Sequence, residues 1–347
     1  MKNNLIVRAV DVGYGHVKYS LGRNEAGAIH CDRFPSLSPA VQDDVDFGNY
    51  MLKRNTFVVT IEGRHYEVGK DVISALDPNS EGSVMDLEFA MSVAYRARLY
   101  GALNYISQDL PGDVLDVLIL GLPLNTFTKY QTSLAERFTG EHIINAKGTK
   151  LQVRHCEIYP QPFGSYARYL ENQRIADFPV ALVVDIGYNT FDWLVCKHKT
   201  PRLHGTSMRG MASVINAMAK EVIRATNSNS TESAVMRRID EALITGTPFT
   251  MYGKPVKLDK AQKLGEAIIE EAAQSVKNAV QDAGEIDLII VAGGGAPYYK
   301  DAIRKKFRSH EVRLLDDPSF GNVRGFHIIG ESLARSMSRA VSLVAAA

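Results

Sequence analysis

Two stretches of the chain carry the same order of apolar and polar positions. Residues 5–21 read Leu-Ile-Val-Arg-Ala-Val-Asp11-Val-Gly13-Tyr14-Gly15-His16-Val-Lys18-Tyr-Ser-Leu. Residues 180–195 read Val-Ala-Leu-Val-Val-Asp185-Ile-Gly187-Tyr188-Asn189-Thr190-Phe-Asp192-Trp-Leu-Val. In each, an apolar strand ends in Asp-(Val/Ile)-Gly-Tyr, turns tightly through polar residues, and continues as a strand of alternating character. That pattern predicts a β-hairpin with an acidic, glycine-containing tip. Its recurrence about 174 positions later predicts two copies of one architecture.

Other elements follow from periodicity and punctuation. Thr56–Ile61 and Arg64–Val68 flank Glu62-Gly63 and read as a hairpin. Helices are predicted over 89–106, 125–138, 163–172, 212–225, 258–283 and 330–343, the third beginning just after Pro162. Short apolar strands are predicted over 116–122, 153–159 and 287–292, the last running into Gly293-Gly294-Gly295. Asn227-Ser-Asn-Ser-Thr231 is a polar break, and the prolines between Pro160 and Pro179 mark a boundary between halves. Strands and helices alternate throughout, the signature of an α/β fold with mixed sheets.

Composition narrows the function. A chain of 347 residues, 45% apolar and 23% charged, has the length for two ordinary domains and the balance of a globular protein. Its 40 basic and 39 acidic side chains leave a net charge of +1, so no basic field exists for direct, non-specific nucleic-acid binding. That neutrality is compatible with self-association. Cys31, Cys156 and Cys196 are isolated, without disulfide or zinc spacing, and the last two sit in apolar strand-like runs as inert thiols. No signal-peptide pattern and no apolar run of ~20 residues is present, which predicts a cytoplasmic protein without a membrane span.

The hairpin tips carry the candidate chemistry. Glycines let backbone N–H groups approach a phosphate closely and adopt unusual dihedrals. Gly13 and Gly15 would do this in the first tip, with Lys18 adding positive charge; Gly187, Asn189 and Thr190 would do it in the second. Placed face to face, two such tips clamp a polyphosphate. Asp11 and Asp185 would repel it unless a hydrated Mg²⁺ intervenes, an ion that keeps its waters and uses few carboxylates. Two ordinary Asp/Gly turns would have the same composition. No GxxxxGK[ST] exists, and the lone triplet Gly293–Gly295, without GxGxxG, could be a dinucleotide loop, a backbone shelf for a purine or ribose, or a plain turn. Trp193 reads as core, the run Arg304-Lys305-Lys306-Phe-Arg308 as a solvated helix face or a partner contact, and Ser165 lacks a Gly-x-Ser-x-Gly setting.

The order Asp11…Lys18, Leu118-Ile-Leu-Gly-Leu-Pro123, Asp185…Asp192, Val291-Ala-Gly-Gly-Gly295 resembles the phosphate-1, connect-1, phosphate-2 and adenosine motifs of the actin, chaperone and sugar-kinase superfamily. Gln161-Pro162-Phe-Gly164 and Asp317-Pro-Ser-Phe-Gly-Asn322-Val-Arg324-Gly325-Phe are similar to the plasmid-segregation branch, the ParM/StbA proteins. The resemblance spans essentially the whole chain. It implies an actin-like fold of two RNase H-like α/β domains flanking a nucleotide cleft: 1–165, 166–329, and a C-terminal helix 330–347 packing back on the first. It implies ATP or ADP held with Mg²⁺, Asp11 and Asp185 binding the metal through water, and Asp185 orienting the attacking water. Gln161 stands where a Glu or Gln polarises that water, and Lys18 neutralises phosphate charge. Nucleotide contacts are implied for Gly13, Tyr14, Gly15, His16, Gly187, Tyr188, Asn189, Thr190, Gly210 and Gly293–Gly295. His16 could equally be a solvent-facing turn residue. Tyr188 and Asn189 depart from the family, which has glycines there.

The function so implied is an ATPase that assembles into filaments and segregates plasmid DNA through a DNA-binding adaptor. Two alternatives stand beside it. A small-molecule kinase of the superfamily would need an aspartate base beside a sugar pocket, and no such cluster is evident. A regulator that binds nucleotide without turnover is suggested by the atypical second tip.

Overall fold

The computed structural model describes residues 5–41, 54–75, 88–171, 173, 179–197, 200–281 and 283–346, the last six without their side chains. The chain divides into two units: residues up to 75, 88–173 and from 320 onward form one, and Pro179–Ser319 form the other.

The first unit is built from strands β1 (Val7–Val12), β2 (His16–Arg23), β3 (Ile29–Pro35), β4 (Thr56–Ile61) and β5 (Arg64–Gly69), then helix α1 (Val93–Asp109). It continues through β6 (Val114–Leu122), α2 (Leu124–Phe138), β7 (Gly140–Ile143), β8 (Lys150–Pro160) and α3 (Gln161–Leu170). Its main sheet has the order β3-β2-β1-β6-β8-β7, and β4 and β5 pair as the expected separate hairpin. β1 is antiparallel to β2 and parallel to β6, which is parallel to β8.

The second unit holds β9 (Ala181–Ile186), β10 (Phe191–Lys197), β11 (Thr200–Ser207), α4 (Met211–Thr226), α5 (Glu232–Thr245), β12 (Thr250–Met251) and β13 (Lys254–Pro255). It closes with α6 (Asp259–Val280), β14 (Leu288–Ala292), α7 (Ala296–Lys306) and β15 (Glu311–Leu314). Its sheet order, β11-β10-β9-β14-β15, repeats the plan of the first: an antiparallel three-stranded meander, then two parallel strands. The chain ends in α8 (Gly321–Ala346), part of the first unit.

Both leading strands are buried along their whole length. A central strand covered on both faces favours apolar residues on both, which is why the two runs lack polar alternation; Arg8, the charged exception ahead of Asp11 in β1, donates to the Val7 carbonyl and to Asp109. In β1, Val10 and Val12 pack with Leu99, Leu103 and Ile106 of α1, while Val7 and Ala9 pack with Val323 and Phe326 of α8.

Several expected boundaries move. The helix over 89–106 is a single 3₁₀ turn, Phe89–Met91, then α1, because the Ser92 side chain accepts from Tyr95 N–H and starts a new helix. α3 begins at Gln161, ahead of Pro162, since the first turn leaves that missing N–H without consequence. Asn172, the expected end of that helix, lies outside the described residues. α6 stops at Val280, where Gln281 takes a φ of 49°. The terminal helix starts at Gly321, nine residues before the expected Gly330. β3, β7, β11, β15 and α5 are additions the sequence pattern does not announce.

Candidate functional site

In the first unit the site grows from strand alternation. Successive residues of β1 point to opposite faces, so Asp11 shares the α8 face with Val7 and Ala9. It is 2% exposed. Gln161 Nε2 donates to its Oδ1 at 2.7 Å, and Lys18 Nζ lies 3.7 Å from its Oδ2. Lys18 stands directly opposite Asp11 in the β1–β2 register. A Cβ on Gly121 of β6 would come within 3.2 Å of Asp11 Oδ1 and 2.9 Å of Phe326 Cζ, so the carboxylate and that ring fit over a strand position without a side chain. Three predicted residues, Asp11, Lys18 and Gln161, are thus brought together. The Gln161 amide hands its N–H to Asp11 and retains an acceptor oxygen, which can orient a water but takes no proton.

The position of Gln161 is set by a helix crossing. α3 meets α8 where Gly164 faces Gly325: an added Cβ at 164 would sit 2.6 Å from the Asn322 carbonyl oxygen, and one at 325 would fall onto the Gly164 carbonyl oxygen. Ser165 Oγ donates to Asn322 Oδ1 at 2.6 Å beside the crossing, with Ser165 wholly buried. The sequence motifs around Gly164 and Asn322–Gly325 are therefore two sides of one contact. Ser165 serves at this helix crossing.

The tip itself departs from expectation in one respect. Gly13, Gly15 and Gly187 all keep ordinary φ values, so unusual dihedrals are not what glycine supplies there. Close approach is: a Cβ at Gly13 would lie 3.0 Å from the His16 carbonyl oxygen. Tyr14 stacks on Phe89 with centroids 4.9 Å apart, anchoring the tip on the unit's apolar cluster. His16 begins β2 half-buried; burial, then Arg33 and Lys18, lower its pKa to about 4.

In the second unit the corresponding tip is tied to a helix start. Gly187 N–H donates to the Thr190 carbonyl at 2.9 Å, closing the turn. The N–H groups of Gly210, Met211 and Ala212 donate to the carbonyls of Asn189, Gly187 and Tyr188 at 3.1, 3.1 and 2.6 Å. The first donors of α4, which no helical carbonyl can satisfy, are thereby used to fix the loop. Gly210 is packed so closely that a Cβ would lie 2.6 Å from the Asn189 carbonyl carbon. Neither Tyr188 nor Asn189 has a positive φ, so replacing the family's glycines leaves the backbone unstrained. The Tyr188 ring packs on the unit's core, and burial raises its hydroxyl to about 12.

The glycine triplet abuts the same tip. Gly293 has a φ of +87°, its N–H donates to the Pro318 carbonyl at 3.0 Å, and a Cβ there would lie 2.5 Å from Asp185 Oδ1. Gly295 N–H donates to the Ile186 carbonyl at 3.0 Å and starts α7. Gly294 is exposed, with no atom within 4 Å of a would-be Cβ. Of the readings left open for the triplet, the structure adds a packed strand-to-helix turn with one face open to solvent.

Asp192 is a site residue that reasoning along one strand passes over. In β10 it stands opposite Asp185, and both are buried, 1% and 4% exposed. Thr206 Oγ1 donates to its Oδ1 at 2.6 Å. Burial is the main force raising its pKa, to about 7; neighbouring Asp185 adds to the rise, while bonds from Thr206 and Thr190 oppose it. Superposing the two hairpins would have revealed it: Lys18 and Asp192 occupy the same position, opposite the leading aspartate, with opposite charge.

Among the described residues no group of three or more His, Cys, Asp and Glu side chains could hold a metal by direct ligation. A hydrated Mg²⁺ served by few carboxylates fits that donor set; a fully protein-ligated ion does not. Nor is any described helix long and apolar enough to cross a membrane. Cys156 and Cys196 are buried, as expected. Trp193 is half-buried against the core of its unit.

Two units that repeat one mixed-sheet plan, each with an aspartate at the tip of its first hairpin, define a protein of the actin-like fold. The family assignment agrees: residues 9–164 match the actin-like proteins' N-terminal domain, and residues 183–305 match the C-terminal domain of the archaeal actin homologue, MreB-like. The chain belongs to the actin-like proteins. A search of curated proteins finds no match. Among solved structures, apo pSK41 ParM aligns at a TM-score of 0.68 and 19% identity, covering 96% of this chain and 99% of that one. A 15-stranded ParM filament from Clostridium botulinum aligns at 0.72 and 18%, covering 95% and 99%. Ta0583, an archaeal actin homologue in complex with ADP, aligns at 0.72 and 19%, covering 94% and 100%.

Proposed function

We propose that this protein binds and hydrolyses ATP with Mg²⁺, assembles into filaments in the cytoplasm, and serves plasmid DNA segregation through a DNA-binding adaptor. The observation that carries the reading is the buried Asp11–Gln161 bond at 2.7 Å with Lys18 beside it. A carboxylate, a water-orienting amide and a cation at one hairpin tip are what phosphoryl chemistry by positioning and electrostatics requires. Asp11 and Asp185 would hold the hydrated metal; the metal would supply charge neutralisation on the phosphates. Asp185 would also orient the attacking water, Gly13, Gly15, Gly187, Asn189 and Thr190 would line the phosphates, and Gly293–Gly295 the nucleoside. The ADP-bound archaeal actin homologue and the ParM filament among the neighbours support nucleotide and polymer respectively. Assembly would follow nucleotide state, since a ligand shifts a conformational equilibrium only by its differential affinity for the two forms.

Light scattering of the purified chain with ATP, ADP or no nucleotide, read beside phosphate release, tests this. The expected result is ATP-dependent scattering accompanied by phosphate release. Binding without either would support the second reading, a nucleotide-binding regulator, which the Tyr188-Asn189 pair in the second tip favours.

A further inference from the structure

At the end of the first hairpin remote from its tip, β1 and β2 part. Their backbone register covers only Val10–Val12 opposite Val17–Tyr19. At the next step Ala9 N–H donates at 2.8 Å to the Ser20 hydroxyl oxygen, and beyond Ser20 the β2–β3 ladder is irregular as far as Arg23. A cavity of about 390 Å³ opens here, with Arg8, Gly22, His327 and Glu331 in its wall, all residues of the first unit. Arg8 is 9% exposed; Nη1 donates to the Val7 carbonyl at 2.8 Å and Nη2 to Asp109 Oδ2 at 2.7 Å, while Nε, sealed from solvent, has no acceptor among the described residues. Asp109 is a poor counterion for it: it is the exposed last residue of α1, where the helix dipole disfavours a negative charge. Gly22 has a φ of +92°, and a Cβ there would lie 3.1 Å from Arg8 Nη1, so the guanidinium lies against bare backbone. His327 is 2% exposed. Ser20 is wholly buried and its oxygen accepts from Ala9, so its O–H has His327 Nδ1, at 2.9 Å, as acceptor; a neutral imidazole then carries its proton on Nε2. That nitrogen lies 3.6 Å from Glu331 Oε1, long for a hydrogen bond.

We propose that this cavity is a binding site for a small aliphatic carboxylate, its oxygens taken by the Arg8 guanidinium and His327 Nε2 and its chain by Leu5, Val7 and Pro111, the apolar part of the wall. Charge decides the class of ligand. Glu331 does not repel an anion, because Arg23 neutralises it through Nε and Nη2 at 2.7 and 2.8 Å. Arg8 is then the cation of the wall whose own counterion is weakly placed. A carboxylate entering the cavity offers it a planar pair of acceptors that matches the guanidinium fork, in a site drier than the surface around Asp109. The volume lies near the lower end for ligand pockets, which limits the apolar body to a short chain. The inference is independent of the nucleotide reading: the cavity adjoins the start of β1, and Asp11 lies at the other end of that strand.

The test is calorimetric titration of the full chain with sodium hexanoate, beside hexanamide and inorganic phosphate, in the wild type, Arg8→Gln and Asp109→Asn. Hexanoate is expected to bind at one saturable site, and hexanamide, with the same chain but no charge, roughly tenfold or more weakly. Arg8→Gln should weaken hexanoate by a similar factor. Asp109→Asn should tighten it by roughly two- to fivefold, the worth of the exposed ion pair with which the ligand competes. That gain keeps the proposal falsifiable if Arg8→Gln does not fold, because a damaged chain does not acquire affinity. Magnesium-bound ADP should leave hexanoate binding in place. Absence of saturable hexanoate binding overturns the proposal, as does equal affinity for hexanamide. Unchanged or weaker binding by Asp109→Asn also overturns it and leaves Arg8–Asp109 as a structural ion pair. Competition by inorganic phosphate at equal concentration would show a site for anions in general, and displacement by ADP would put hexanoate elsewhere; either result refutes the assignment.

Discussion

The α3–α8 crossing makes a quantitative demand. A Cβ at position 325 would fall onto the Gly164 carbonyl oxygen and lie 2.9 Å from Gly164 Cα, whereas carbon–oxygen contacts settle at about 3.3–3.6 Å. Gly325→Ala must therefore push the two helices apart by roughly 1 Å or more. Overpacking of this kind costs about 1–3 kcal/mol, and backbone-on-backbone overlap belongs at the upper end, because no side chain can rotate away. For a unit of roughly 200 residues, each kcal/mol moves the melting temperature by about 2–4 °C, so a fall of roughly 6–12 °C is expected. Gly164→Ala meets the Asn322 carbonyl oxygen at 2.6 Å and should lose less. Gly294→Ala meets nothing within 4 Å and should melt within about 2 °C of the wild type. Circular dichroism melts of the three variants give the ordering. Gln161 lies one turn before Gly164 on α3, so Gly325→Ala should also slow ATP turnover in protein that remains folded. A Gly325→Ala chain melting with the wild type would refute the close crossing and, with it, the account of how Gln161 is positioned.

Two further outcomes are expected. Gln161→Ala removes the amide that donates to Asp11, so ATP turnover should fall by about tenfold or more while nucleotide affinity changes little; steady-state phosphate release beside direct binding separates the two. His16, with a folded pKa near 4 against 6.5 in the unfolded chain, contributes stability that is present above pH 6.5 and lost as pH falls through 6.5 towards 4. At pH 5 the loss reaches about 2 kcal/mol at most. His16→Gln should therefore lose less stability than the wild type between pH 7 and 5 in denaturant titrations, and parallel pH profiles would show that His16 is not desolvated.

The parts of the fold legible in the sequence are those in which one strand or helix carries its own pattern. β1 and β9 announce themselves because burial on both faces leaves a mainly apolar run, interrupted in β1 by Arg8, that ends at an aspartate. β11 does not, because as an edge strand exposed through most of its length it has no apolar face to display. Asp192 is hidden for a related reason: its partner is seven residues away along the chain and adjacent only across the hairpin, so the cue lies in register and not in composition.

The start of α8 makes the same argument in helical form. Gly321, Asn322 and Gly325 carry low helix propensity, and local preference alone places the helix beginning near Gly330. Tertiary contact reverses that preference. Val323 and Phe326 are fully buried against β1 and β6, Asn322 accepts from Ser165, and Gly325 lets the helix lie against α3. The glycine that weakens the helix in isolation is the residue without which it could not approach α3 closely enough for Gln161 to reach Asp11. A helix former at 325 should therefore raise local helicity and lower the stability of the unit at the same time, a combination that propensity alone does not produce.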